Sequence, residues 1–319
     1  MQSLNKNILT ILEKEKAGIQ AIRSIKDVLV HIQKLRGNSN LFGLLFTGYE
    51  DSDTKIYKDN IIELISSLKG SFNILDSLLD SNNTLVGIHR DLKQLETNLN
   101  IFHKDIFNLT VKHFDEYSKY ATQSINLMID IADKSYLLAD NDKNQAILLN
   151  IVISIVLNLI ENIGKLRAIG VKVVNKKVKN IHDISELQHH VEVIKHYNEI
   201  FDKEFILYIN LIDNNKKTDG FLQIKQKLSE NIKAFINLTE TELLNQELIF
   251  IDPKFYFEQG NNIIEAEDVF YNEAFNILEN YTETSIEKIS RLIFKDNIIK
   301  YIGLASVTAF IIYTAQTLF

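Results

Sequence analysis

The chain has 319 residues, 45% of them apolar, with eleven glycines, one proline and no cysteine, enough to bury a sizeable core in one or two domains. The missing cysteines exclude disulfides, thiolate nucleophiles and cysteine-based zinc or iron–sulfur sites, and they leave the compartment open, because a helical domain of this size needs no disulfide. A net charge of −7, spread along the chain with no arginine-rich arm or aromatic-plus-basic strand motif, disfavours nucleic acid as a partner.

Apolar residues recur at i, i+3, i+4 and i+7 with almost no alternating runs, which predicts an all-α protein. Helices are expected over 4–47, 54–80, 84–113, 114–139, 144–175, 183–213, 219–249 and from 253 to the end. Between them GYEDSD at 48–53, DSNN at 80–83, ADND at 139–142, DNNKKTDG at 213–220 and IDP at 251–253 supply residues that stop or cap helices. Asp252 before Pro253 fits an N-cap with proline at the first helical position. Short connections make neighbours antiparallel, so the expected architecture is an elongated pair of antiparallel four-helix bundles, the last helix continuing into a C-terminal transmembrane helix. The stretch AILLNIVISIVLNLI at 146–160 reads as a central core helix: it is short for a span, and Asn150, Ser154 and Asn158 form one narrow polar stripe.

The amino terminus lacks the apolar core of a signal peptide and no first membrane span is visible. At the other end YIGLASVTAFIIYTAQTLF, 301–319, runs without a charge, about 28 Å of helix at ~1.5 Å per residue. A span is expected; the alternative is a buried terminal helix, which Ser306, Thr308, Thr314, Gln316 and Thr317 would suit. The division is therefore 1–297, an all-helical domain, and 298–319, a transmembrane helix.

Within the first helix, Arg36 shares a face with Ile32, Leu29, Ile25 and Ile22; in the fifth, Arg167 shares one with Ile163, Gly164, Ile160 and Val156. The two sit in matching stretches, Ile32-Gln33-Lys34-Leu35-Arg36-Gly37 and Ile163-Gly164-Lys165-Leu166-Arg167-Ala168. Arg23, Arg90 and Arg291 have mostly polar neighbours. Lysine outnumbers arginine 30 to 5, so a site wanting only positive charge would more often carry lysine. Guanidinium instead offers a planar fork of donors that matches carboxylate, nitrate or nitrite. Two readings stay open: each arginine pairs with an internal Asp or Glu or snorkels to the bundle rim, or both line one cavity and clamp a small anion, with Gly37, Gly164 and Ala168 letting helices approach or leaving room for a ligand.

Four stretches resemble the helical nitrate- and nitrite-sensing domains (NIT-like) and related sensor domains of bacterial chemoreceptors and sensor kinases. They are EKAGIQAIRSIKDVLVHIQKLRGNSNLFGLLFTG at 15–48, IDIADKSYLLADND at 129–142, LIENIGKLRAIG at 159–170 and DPKFYFEQGNNIIEAEDVFYNEAFNILENY at 252–281. They occur in family order and span most of residues 15–295. The resemblance implies two four-helix bundles and a non-enzymatic sensor in which Arg36 and Arg167 contact nitrate, nitrite or a small carboxylate; Gln33, Gly37 and Gly164 beside them are the further candidate ligand-binding residues. It also implies a periplasmic domain at the bacterial inner membrane and a role in signal transduction and chemotaxis. No cofactor is expected; the expected partners are the anion, the membrane through the last helix, and a second copy of the chain in a homodimer. Family members usually have a membrane helix before the sensor and a signalling region after it; neither is expected within residues 1–319, and DKNQAILL at 142–149 lacks the expected tyrosine.

Histidines at 182, 189, 190 and 196 include a Glu186-x-x-His189 spacing, but a bundle di-metal site needs a second such pair, so a solvated helix face is the better reading and no metal is expected. Phosphate loops and nucleophile elbows are missing, and no enzymatic activity is expected. The competing readings are a membrane-perturbing helical protein of the pore-forming cytolysin type and a degenerate sensor with no ligand.

Overall fold

A computed structural model of the chain describes residues 2–46, 52–80, 86–107, 113–139, 143–212 and 217–318. Among these every element is helical: α1 (Gln2–Leu45), α2 (Ser52–Asp80), α3 (Val86–Phe102), α4 (His113–Lys134), α5 (Lys143–Asn150), α6 (Leu157–Lys176), α7 (Ile181–Leu211), α8 (Lys217–Thr239) and α9 (Pro253–Leu318). The chain is all-α, as its periodicity predicts. The turn signals at 48–51, 81–83, 140–142 and 213–216 lie outside the described residues, as do 108–112 of the helix expected to reach 113.

Helix α1 lies against α2, α4 and α9 and touches α6, while α6 packs on α7 and α9, and α8 on α9. The shared core includes Ile22, Ile25, Leu29 and Ile32 of α1, Ile160, Ile163 and Leu166 of α6, and Phe270, Ala274 and Leu278 of α9, all within 2% of full burial. Helix α9 begins where its cap requires: Phe255 N–H donates to Asp252 Oδ2 at 3.2 Å, with Pro253 at the first helical position. Helix α7 is closed by a reciprocal box in which Asn180 and Asp183 each satisfy the other's backbone N–H.

Residues 143–176 form one run in which α5 passes into α6 through a π-helical segment, Ile151–Val156. The run is apolar enough to cross a membrane by composition, yet 67% of its most apolar window is buried among the other helices. Only Asn150, Ser154 and Asn158 are exposed over 148–160, so it is the core helix its polar stripe suggested.

Three expected helices end early. The third stops at Phe102 and a short 3-10 turn, His103–Asp105. The fourth, expected to reach 139, stops at Lys134, and Tyr136 then takes a positive φ before a 3-10 turn, Leu137–Ala139. The seventh, observed as α8, leaves α geometry after Thr239 for a π turn, Glu240–Leu244. There the apolar period does continue, to a buried Ile249. Lys179 Nζ, arriving from the α6–α7 connection, donates to the carbonyls of Leu243, Leu244 and Gln246 at 2.6, 2.8 and 2.6 Å and so caps the end of the π turn, where the chain leaves the helix.

Candidate functional site: two buried arginines between α1, α6 and α9

Arg36 and Arg167 are 0% and 1% exposed, the two largest fully buried side chains. The remaining arginines lie outside the core: Arg23 pairs with Glu279 at 3.0 Å while about a third exposed, and Arg90 and Arg291 are mostly in solvent. Helical facing accounts for Arg36 and Arg167, each four positions from a buried isoleucine, Ile32 and Ile163; Arg23 also follows the buried Ile19 by four but has Asp27 a turn further on and reaches the rim to meet Glu279.

The two inward arginines are compensated differently. Arg36 grips Glu161 of α6 with both terminal nitrogens, Nη1 to Oε1 at 2.7 Å and Nη2 to Oε2 at 3.1 Å. Its Nη1 also donates to Ser118 Oγ of α4 at 3.1 Å, and its plane faces the Phe114 ring at 5.6 Å. Arg167 has neutral acceptors only. Nη1 donates to Asn261 Oδ1 of α9, Nη2 to the backbone carbonyl of Gln33 at 3.2 Å, and the guanidinium lies 4.7 Å from the centre of the Phe257 ring. Burial first, and then the neighbouring Arg36, push the Arg167 guanidinium down to about 9, with Glu258 and Glu161 opposing. It is protonated at neutral pH, and its charge is held there at a cost.

Gln33 joins the two halves. Its carbonyl receives Arg167, its Nε2 donates to Glu161 Oε2 at 3.4 Å, and its Oε1 is buried without a partner. The Nε atoms of both arginines are likewise buried and unpartnered.

The glycines have a reciprocal role. A Cβ on Gly164 would stand 2.3 Å from Arg36 Nη2, and one on Gly37 2.4 Å from Arg167 Nη2. Each guanidinium thus rests on the bare backbone beside the other arginine, and the space these glycines were expected to leave for a ligand holds the opposite arginine. Gly260 does the same for the stem of Arg167, its would-be Cβ falling 2.6 Å from Cδ.

Arg36, Arg167, Gln33, Gly37 and Gly164 therefore converge on one place. Sequence reasoning missed Glu161, Asn261, Gly260, Phe257 and Ser118. Glu161 lies in the quoted LIENIGKLRAIG stretch, six residues before Arg167, and its inward placement was the available signal.

Asn261 and Phe257 also line a groove of about 280 Å³ between α1, α2 and α9, whose other walls include Lys34 and the carboxylates of Glu63, Glu258 and Glu265. On α7, His190 Nδ1 donates to Asn162 Oδ1 at 2.9 Å, and His182 meets Glu186 at 3.8 Å. Elsewhere Asp76, Asp80 and His89 bring three ligand-type atoms together, with Lys93 Nζ already 2.5 Å from Asp76. That makes the group an ion-pair network at the α2–α3 corner.

Among solved structures the chain is similar to the NasR transcription antiterminator, with a TM-score of 0.62 and 14% sequence identity over 89% of this chain and 73% of that one. At that identity the likeness is one of fold. No protein-family model and no curated protein matches the chain.

Proposed function

We propose that the chain is a non-enzymatic helical sensor domain that binds a small planar monoanion, nitrate, nitrite or a small carboxylate, at Arg36 and Arg167. The observation that carries the reading is Arg167: a fully buried guanidinium, next to a second one, with no carboxylate among its hydrogen-bond acceptors. Among the buried side chains, Arg36 and Arg167 against Glu161 leave one positive charge, which one monoanion would neutralise; Lys165, 3.6 Å from Glu161, is partly in solvent. The resemblance of 15–48 and 159–170 to nitrate- and nitrite-sensor motifs supports the anion, and the fold shared with a transcription antiterminator is compatible with a regulatory role.

In this reading α1–α4 form one four-helix bundle and α6–α9 a second, with the arginines on the helices where they meet. The domain belongs to a bacterial signal-transduction or chemotaxis receptor, sits on the periplasmic side of the inner membrane as a homodimer, and is anchored by residues 298–319. One observation favours a degenerate sensor instead: the fork of Arg36 is already filled by Glu161.

Thermal unfolding of the full chain in mild detergent, titrated with sodium nitrate, nitrite, formate and acetate at constant ionic strength, separates the two. A ligand that binds only the folded state raises Tm in proportion to the logarithm of its concentration, adding about 2.7 kcal/mol at 100 times Kd. A rise of several degrees is expected with at least one anion. Arg36→Lys and Arg167→Lys should each remove it while the protein still folds, since charge is kept and the planar fork is lost. A flat Tm across all four salts rejects anion binding, and two unfolded lysine variants would make the arginines structural.

A further inference from the structure

A buried arginine with a purely structural role is most cheaply held by a carboxylate, as Arg36 is by Glu161. Arg167 instead faces an asparagine, the uncharged isostere of aspartate. A guanidinium only donates, so Asn261 must turn its oxygen toward Arg167, and its amide nitrogen then points at Glu258, 3.4 Å from Oε1. Asn261 therefore stands between the buried cation and the one carboxylate on α9 placed to neutralise it. The same side chain lines the groove between α1, α2 and α9, so it has space to rotate and its far side is reachable from solvent. Arg167 has no equivalent freedom, because the Gly260 backbone presses on its stem and the Phe257 ring covers its plane.

We propose that Asn261 is the residue that keeps Arg167 available to an external anion. Its amide oxygen occupies the place of a ligand oxygen, its amide nitrogen holds Glu258 away, and on binding the side chain swings into the groove and yields its place. This rests on the anion-binding reading above and adds to it the determinant of affinity and charge selection. A monoanion balances the single excess charge of the cluster; a dianion exceeds it and meets Glu63, Glu258 and Glu265 along the groove.

The test measures Tm and the nitrate Kd of the full chain, by calorimetry at constant ionic strength, for wild type, Asn261→Asp and Glu258→Gln. In Asn261→Asp the protein carries its own anion on Arg167: Tm without nitrate should rise and the nitrate Kd should weaken at least tenfold. In Glu258→Gln the competing charge is gone, and Kd should tighten severalfold. Wild-type affinity in Asn261→Asp overturns the proposal while leaving the anion-binding reading intact. If Asn261→Asp fails to fold, Glu258→Gln decides, and an unchanged or weaker Kd there overturns it. A wild type that ignores nitrate and the other small anions defeats the underlying reading, and the proposal with it.

Discussion

A charged pair sealed between helices is stable only while both halves are present. Glu161→Gln leaves Arg36 buried with its charge uncompensated, and such losses cost about 3–5 kcal/mol; urea unfolding should show a midpoint lowered accordingly, and a change under about 1 kcal/mol would mean that water already reaches the pair. A second buried group makes a pH-dependent prediction. Glu267 of α9 is fully buried facing Lys26 and Lys34 of α1, with Asp268 beside it and the ring of Tyr271 one turn on; burial pushes its carboxyl from 4.5 up to about 8 against the pull of Lys26. Between those values the folded protein keeps a proton that the unfolded chain has released. Its contribution is thus complete below about 4.5, falls as pH rises, and is gone above about 8. Glu267→Gln should flatten that decline when urea midpoints are compared at pH 5.5 and 8.5, and a wild-type decline that persists in the variant would assign it to other groups. At this scale the sequence revealed which arginines point inward, since facing depends on neighbours three and four residues away. It did not reveal their partners: Glu161 is 125 residues from Arg36 and Asn261 is 94 from Arg167, separations at which no local pattern operates.

Among the elements, the run from 143 to 176 shows how a helix irregularity is made tolerable. A π segment leaves backbone carbonyls without their usual i+4 donors, and in a buried helix no water replaces them. Val152, fully buried within Ile151–Val156, has its carbonyl met by the Tyr271 hydroxyl of α9 at 2.9 Å. Tyr271→Phe removes that donor without changing shape, and an unsatisfied buried carbonyl costs about 1–3 kcal/mol, so a Tm lower by several degrees is expected. An unchanged Tm would show that the π segment satisfies this carbonyl in another way. The core character of the run was legible because Asn150, Ser154 and Asn158 are its exposed stripe. The π geometry was not: the segment packs on α7 and α4, and the hydroxyl that meets its carbonyl, Tyr271, is 119 residues from Val152. The early end of α8 was hidden for a similar reason: the side chain that caps the turn after it is Lys179, 64 residues away from Leu243.

For the molecule as a whole, α1 and α9 run antiparallel along a shared edge. Arg23 meets Glu279, Lys16 meets Glu283 at 2.7 Å, and Asn5 reaches Asp296 at 3.4 Å, so the amino-terminal end of α1 lies where α9 leaves the body. Surface pairs of this kind contribute little energy, about 0–1 kcal/mol each, but they fix the register of the two long helices. Helix α9 also carries Asn261, so displacement of that side chain from Arg167 would act on the element that leads out of the domain. Beyond Asp296, α9 presents Ile299, Ile302, Leu304 and Val307 to the surroundings, each more than half exposed. A contiguous apolar surface of that size is a liability in water and is accommodated in a bilayer. The full chain should therefore float with liposomes in a density gradient while a 1–297 fragment stays at the bottom. Recovery of the full chain as a soluble species would return the tail to a protein partner, a second copy included. The same liposomes, loaded with a fluorescent dye, separate an anchor from a pore: a single apolar helix gives the bilayer no polar face around which water could gather, so floated vesicles should retain the dye. Its release at protein-to-lipid ratios where the chain merely binds would favour the membrane-perturbing reading.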